Sequence, residues 1–380
     1  RPHTLLRVVR RTRHDYARLA AVHELVEGLA DGSIDSRDAD RLLREIKRTP
    51  RRFSVTAVSV ASAVLASSVA VMIGASPAAA VITVLVVLVV TGVNRVHSGF
   101  DLPEFYGNAI NALVATVLAG LAYAVATLVG SPLGEQDFAF IVAGGIVAML
   151  PGRTMAAAIE DVLFGFPLTG AGRLLSVLVA LMGLIIGIGA GLKVMLWITT
   201  VLDTQFVSPT VLELRTDQGA LVTALLGALF VGLSAAVTVQ SRARLILPTG
   251  LLSVGAATIG AILQRSLEFG VITATGFAAI ALGAVGRVVA ARLRVPSMVI
   301  IVPASFALLP GLTIFRGLYE LVAVGGASAG SLTIQSGLTT LLSAGAVLLA
   351  IATGTVFGEI LTSRWDTSVR GERPKGSDGG

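Results

Sequence analysis

Ten apolar segments follow one another along this 380-residue chain, at roughly 54–74, 77–93, 105–130, 138–150, 174–198, 219–240, 245–263, 268–291, 297–309 and 333–361. Runs of this length must hide their own backbone polar groups, and in hydrocarbon only helices and closed barrels do so. The runs are continuous rather than alternating, which points to helices. Crossing a hydrocarbon core of ~30 Å takes about 20 residues, and most segments meet that or come close. Two do not: 138–150 and 297–309 would each rise only roughly 20 Å as helices. Each ends in Leu-Pro-Gly, and an amphipathic stretch follows each one, at about 153–166 and 312–324.

Composition agrees. Hydrophobic residues make up 54% of the chain and charged ones 14%, against ~25% charged in soluble domains. This excludes a soluble enzyme, a disordered protein and a nucleic-acid-binding module. The lipid bilayer is the first partner implied, and nucleic acid is not one. The net charge of +6 is concentrated outside the apolar runs: 13 of the 29 Lys and Arg lie in residues 1–52, and Arg364, Arg370, Arg373 and Lys375 follow the last segment. With ten spans and a cytoplasmic N-terminus, 25 basic residues fall inside and four outside (Lys193, Arg215, Arg265 and Arg316). This positive-inside bias predicts both termini in the cytoplasm.

Residues 1–52 read as a cytoplasmic segment. Asp35 or Ser36 caps a helix over about 36–48, and a second amphipathic helix over about 17–30 ends at Gly32. Fifty residues bury little core alone, so they belong to a larger cytoplasmic domain or pack under the membrane part. A chain that opens on Arg is expected to lack its natural start. With no Cys, disulfides, thiolate metal sites and Cys nucleophiles are excluded.

The two Leu-Pro-Gly sites resemble each other over a longer stretch. At a fixed offset of 159, Ala148, Leu150, Pro151, Gly152 and Thr154 match Ala307, Leu309, Pro310, Gly311 and Thr313. Asp161 and Glu320, each ten residues after its proline, match in charge. The motif falls in the fourth segment and again in the ninth, so the repeat unit is five spans. Five is odd, so tandem units enter the membrane in opposite orientation, as in many secondary transporters. The fold expected is an all-α integral membrane protein of ten transmembrane helices. They form two inverted-topology five-span repeats, 53–200 and 216–362, with broken helices at the fourth and ninth spans and a disordered cytoplasmic tail at 363–380.

Proline removes a backbone donor and biases the preceding residue away from helix, and glycine loosens the same turn. The groups freed at Pro151-Gly152 and Pro310-Gly311 must face protein, water or substrate. A zwitterion suits such a place: its carboxylate takes the positive end of a half-helix and its ammonium takes free carbonyls. Thr154 and Thr313 lie just inside the second half-helices and can help hold it; the plainer alternative is a re-entrant fold with structural threonines. Asp161 and Glu320 are candidates for carrying protons, since intramembrane carboxylates are costly and usually functional. The alternative places both at the water interface, with Arg316 and Glu320 as an i,i+4 pair. Asn108 and Asn111, one turn apart, either line the cavity or join helices by hydrogen bonds. Lys193 snorkels to the interface, Glu359 is interfacial, and Gly183, Gly187 and Gly191 form a close-packing face that Gly354 and Gly358 repeat more weakly. There is no GxxxxGK[ST], no HExxH and no G-x-S-x-G, so neither ATP hydrolysis by a P-loop nor intramembrane hydrolysis has a candidate; no cofactor is implied.

The chain resembles the threonine/serine exporter (ThrE) family over about 15–361. The likeness is carried by the pattern Gly32, Asp35, Ala39, Leu43, Ile46 and Pro50, by Leu150-Pro151-Gly152 running to Asp161 and Gly165, and by Pro296, Pro303 and Leu309-Pro310-Gly311. The resemblance implies export of threonine and serine from a bacterial cytoplasm across the inner membrane, driven by the proton motive force. It supplies no residue roles, so the site residues above rest on the repeat alone. Two-chain relatives export dicarboxylates, which makes a carrier of small organic acids the first alternative, with Arg153, Arg287 and Arg316 as its test residues. A membrane scaffold or receptor without transport is the second. The expected partners are a small amino acid, protons and lipid, and the chain is compatible with a homo-oligomer.

Overall fold

The computed structural model describes residues 15–100, 102–130, 133–134, 136–147, 149, 152–201, 221–323 and 334–369. Those residues are helical throughout, apart from turns and short connections. Two short polar helices come first, α1 (Tyr16–Ala30) and α2 (Ser36–Arg48). Asp15 caps α1 by accepting from the Arg18 amide at 3.1 Å, and Asp35 caps α2 by accepting from the Arg37 amide at 3.1 Å. Gly32 takes φ +76° between them, the left-handed turn for which glycine carries no Cβ penalty. Both sequence-predicted helices are present within a residue of their expected bounds.

The remaining helices fall into two series of matching order. The first is α3 (Val55–Met72), α4 (Pro77–Ser98), α5 (Glu104–Leu128), the short pair α6 (Asp137–Val147) and α7 (Gly152–Leu163), and α8 (Pro167–Val201). The second is α9 (Leu221–Thr238), α10 (Ala243–Arg265), α11 (Val271–Arg292), the short pair α12 (Met298–Ala304) and α13 (Gly311–Ala323), and α14 (Ile334–Val369). Eight of these helices are long and apolar enough to cross a membrane, and α12 with α13, bent by 52° at their junction, forms a ninth if counted as one span. The fourth apolar segment carries α6, whose 11 residues rise only about 16 Å, well short of a bilayer core. α14 continues to Val369, past the boundary expected at 362. The outer faces of the long helices carry large exposed apolar side chains, among them Leu85, Val89, Leu178, Met182, Leu251, Phe277 and Leu349. Such a surface is stable against lipid rather than water, and the chain is a multi-pass helical membrane protein.

Small residues set the closest contacts. A Cβ added at Gly183 or Gly187 on α8 would run into the backbone carbonyls of Phe105 and Ala109 on α5, and one at Gly191 would meet Thr116. The equivalent contact in the second series is α14 on α11, where Gly354 and Gly358 face the carbonyls of Gly276 and Ile280. In lipid, helices associate through such backbone proximity because burying apolar surface gains little there. The two series meet along α3 and α9, where Gly227 lies against the Ser68 carbonyl and Met72, and again where α7 packs on α14 and α13 packs on α8.

Candidate functional site at the broken helices

The break between α12 and α13 is described atom by atom. Leu309 takes φ −63° and ψ 133°, the extended conformation that a following proline imposes. The α13 helix then restarts, with the Ile314 amide donating to the Pro310 carbonyl at 2.9 Å. Residues Ser305–Leu308 form a 3-10 turn, and the Ala304 carbonyl before it accepts from the Ser253 hydroxyl of α10 at 2.9 Å. Ser253 is completely buried. A carbonyl near the break is thus met by a neighbouring helix, as a low-dielectric interior requires. Gly311 is buried and Thr313 half-buried on the first turn of α13.

One face of α13 carries the acid. Glu320 is 4% exposed. Its Oε1 accepts from Arg316 Nε at 2.8 Å, and its Oε2 lies 2.8 Å from the Thr340 hydroxyl on α14. Thr340 also reaches the Ser336 carbonyl at 3.0 Å, so its single proton is shared. The i,i+4 pairing of Arg316 with Glu320 is present, and the carboxylate is buried within the protein.

In the first series, Ala148, Leu150 and Pro151 lie outside the described residues. Gly152 opens α7, and Thr154 is exposed one turn in. Asp161 pairs with Arg173 across α7 and α8, Oδ2 to Nη1, at 2.9 Å. The two repeated acids therefore engage different partners, each within its own series. Around them, one apolar cluster joins the pieces: Phe138 and Ile141 of α6, Met155 and Ile159 of α7, Leu184 and Ile188 of α8, Phe315 and Leu318 of α13, Leu348 of α14.

Asn108 and Asn111 sit at helix contacts. Asn108 Nδ2 donates to the Ala180 carbonyl on α8 at 3.4 Å, and Asn111 Nδ2 donates to Asn94 Oδ1 on α4 at 3.1 Å. Asn111 Oδ1 also lies 3.1 Å from His97 Nε2. A further polar group was not legible in the sequence. Glu359 of α14 accepts from the Ser297 hydroxyl, just before α12, at 2.6 Å, with Arg287 of α11 and Glu160 of α7 in electrostatic range. These four residues are spread over 200 positions, and no local pattern links them. Among the described residues no group of His, Asp and Glu is arranged to hold a metal ion.

Taken together, long apolar helices in two series of matching order, each holding a pair of short helices before its last long one, define a polytopic helical membrane protein. Residues 1–195 match a family model described as "Putative threonine/serine exporter", and residues 224–361 match a second described as "Threonine/Serine exporter, ThrE". The chain belongs to the threonine/serine exporter family. It is 28% identical over 362 residues to the "Probable threonine/serine exporter" of Mycobacterium tuberculosis, covering 95% of this chain and 65% of that protein. It is 23% identical over 363 residues to the "Threonine/serine exporter" of Corynebacterium glutamicum, covering 96% of this chain and 71% of that protein. The chain thus spans about two thirds of the length of these relatives. No solved structure matches it.

Proposed function

We propose that this protein is a secondary exporter of small amino acids, threonine and serine, driven by the proton motive force across a bacterial inner membrane. The observation that carries the reading is the α12–α13 break, bent by 52°, with the buried Glu320 carboxylate roughly 15 Å further along α13, in a chain whose relatives are named threonine/serine exporters. The two series, 53–200 and 216–362, act as inverted repeats that expose a central site to each side in turn. Their matching order and the reciprocal contacts of α7 with α14 and α13 with α8 support this division. Both termini lie in the cytoplasm, as the distribution of basic residues favours.

At the site, Pro151-Gly152 and Pro310-Gly311 free backbone groups for the substrate's carboxylate and ammonium, and Thr154 and Thr313 contribute hydroxyls. Asn108 and Asn111 hold α5 in place at the edge of that region. Asp161 and Glu320 exchange protons as the halves move. A second reading, export of small organic acids, draws on Arg316, whose side chain is 57% exposed while its Nε is held by Glu320. A cation fixed in this way suits a carboxylate-rich substrate.

The test is efflux from proteoliposomes preloaded with labelled threonine, with and without an imposed pH gradient. Gradient-dependent efflux competed by serine and not by succinate is the expected result. Succinate movement without threonine movement would transfer the activity to the second reading, and no flux of either would overturn transport by this chain.

A further inference from the structure

The segment from residue 16 to residue 53 begins and ends on one turn of the second series, the turn between α9 and α10. At its start, the Tyr16 and Ala17 amides donate to the Val239 and Gln240 carbonyls at 3.0 and 3.2 Å. At its end, the Phe53 amide donates to Gln240 Oε1 at 2.9 Å, and Gln240 Nε2 donates to the Phe53 carbonyl at 3.2 Å. Gln240 holds φ +59°, a conformation uncommon outside glycine, which turns its carboxamide onto that backbone pair.

Between these anchors, α1 lies across the ends of four helices. Tyr16 and Ala20 are buried in one cluster with Val239, Leu245, Ala290, Val295 and Ile300, contributed by the ends of α9, α10, α11 and α12. One turn on, Glu24 accepts two hydrogen bonds from Arg242, the residue before α10, at 2.5 and 2.9 Å. Arg18 Nη2 donates to the Thr49 carbonyl at 2.8 Å, which ties the end of α2 back to α1. The first membrane helix, α3, starts two residues after Phe53. The same clip therefore joins the first series to the second at the start of α3, while Gly227 closes the far end of the α3–α9 contact against Ser68 and Met72.

We propose that residues 16–53 form an intramolecular clamp. They hold the ends of α9 to α12 as one unit and pin the start of α3 to the α9–α10 turn. The α3–α9 contact then stays fixed, and relative movement of the two series falls on the α7–α14 and α8–α13 contacts. Those contacts lack the tight backbone approaches of α3 on α9: a Cβ added at Gly345 of α14 would sit at an ordinary 3.7 Å from Met155 of α7, and Leu184 and Ile188 of α8 share an apolar cluster with Phe315 and Leu318 of α13. The clamp itself stands on the contacts above, and its part in movement rests on the transport reading.

The first test needs no transport. In hydrogen exchange of the full chain, amides of 16–24 and of 53–58 are expected to be protected. Gln240→Ala is expected to speed exchange in both stretches by at least about tenfold while leaving α8 unchanged. A charge reversal serves as a second variant: Glu24→Lys loosens 16–24, and adding Arg242→Glu restores it. Unprotected 16–24 in the unaltered chain, or loosening of only one stretch by Gln240→Ala, overturns the clamp. The second test uses the absence of cysteine. Bridging Tyr16→Cys to Val239→Cys is expected to leave threonine efflux within about twofold. Bridging Met155→Cys to Gly345→Cys with a short reducible dithiol cross-linker is expected to stop it until a reductant is added. Loss of efflux in the first pair, or its survival in the second, overturns the assigned division of movement. If the unbridged chains carry no threonine, the transport reading fails, and the exchange result alone decides the clamp.

Discussion

The Glu320 carboxylate and the Thr340 hydroxyl meet at 2.8 Å between α13 and α14, 20 residues apart in sequence and on either side of a helix boundary. This contact, with Arg316 on the other oxygen, gives both oxygens of a buried acid a partner. Burying a charge without such partners costs several kcal/mol per ion, which is why it is found only where neighbours compensate it.

Under the proposed coupling, Glu320→Gln retains the shape of that site and removes its ability to carry a proton, and Asp161→Asn does the same opposite Arg173. Each substitution is expected to abolish gradient-dependent threonine efflux from proteoliposomes, with insertion and yield unchanged. Unaltered efflux at every pH in both variants would sink the coupling claim.

Ser253→Ala leaves the Ala304 carbonyl without its side-chain donor in a fully buried place. The expected loss is about 1 kcal/mol, the net worth of one buried hydrogen bond. A fall in the thermal midpoint of the purified protein in detergent checks it, and an unchanged midpoint counts against a structural need for this bond.

Gly187→Ala places a methyl group against the Ala109 carbonyl, which belongs to helix backbone and cannot swing aside. Overpacking of this kind costs about 1–3 kcal/mol. Gly255→Ala on α10 meets nothing within 4 Å, so it is expected to be neutral or stabilising by up to about 1 kcal/mol. Parallel thermal melts of the two variants separate the close contact from a general effect of glycine in helices.

The docking of α1 should depend on acidity. The hydrogen bonds from Arg242 hold the Glu24 carboxyl below its ordinary range. A depressed carboxyl contributes stability above its unfolded value and loses it as pH falls through the lower folded value. Protection of residues 16–24 is therefore expected to be constant from neutral pH down to about 4 and to weaken below that. Because the pair is partly exposed, the effect is under about 1 kcal/mol. Glu24→Gln should flatten the profile, and an identical pH response in that variant would assign the effect elsewhere.

Much of the helical plan is readable along the chain. Asp35 as an N-cap and Gly32 as a left-handed turn are local choices of a few residues, and both appear where the sequence places them. Gly183, Gly187 and Gly191 recur at helical spacing, so their shared face is visible before any partner is known. The break at Pro310 is local too, since a missing amide acts within one turn. The lengths of the interrupted elements were less legible, because hydropathy runs on smoothly where α6 stops after 11 residues. Amides such as Asn108 and Asn111 fit a cavity or a helix contact in sequence, and their partners, the Ala180 carbonyl and Asn94, are set only by how the helices pack.

The sequence by itself determined that this chain forms long apolar helices, where most of them start, and the bend at Pro310. Those properties follow from hydrophobic length, capping side chains and proline, each acting over a turn or two. Which polar groups meet was decided only by tertiary structure: Asp161 with Arg173, Glu359 with Ser297, Glu24 with Arg242, and Gln240 with the backbone of Phe53. In a protein of repeated, similar helices, many pairings satisfy the same hydropathy. The close backbone contacts and the directional hydrogen bonds between distant residues select one of them.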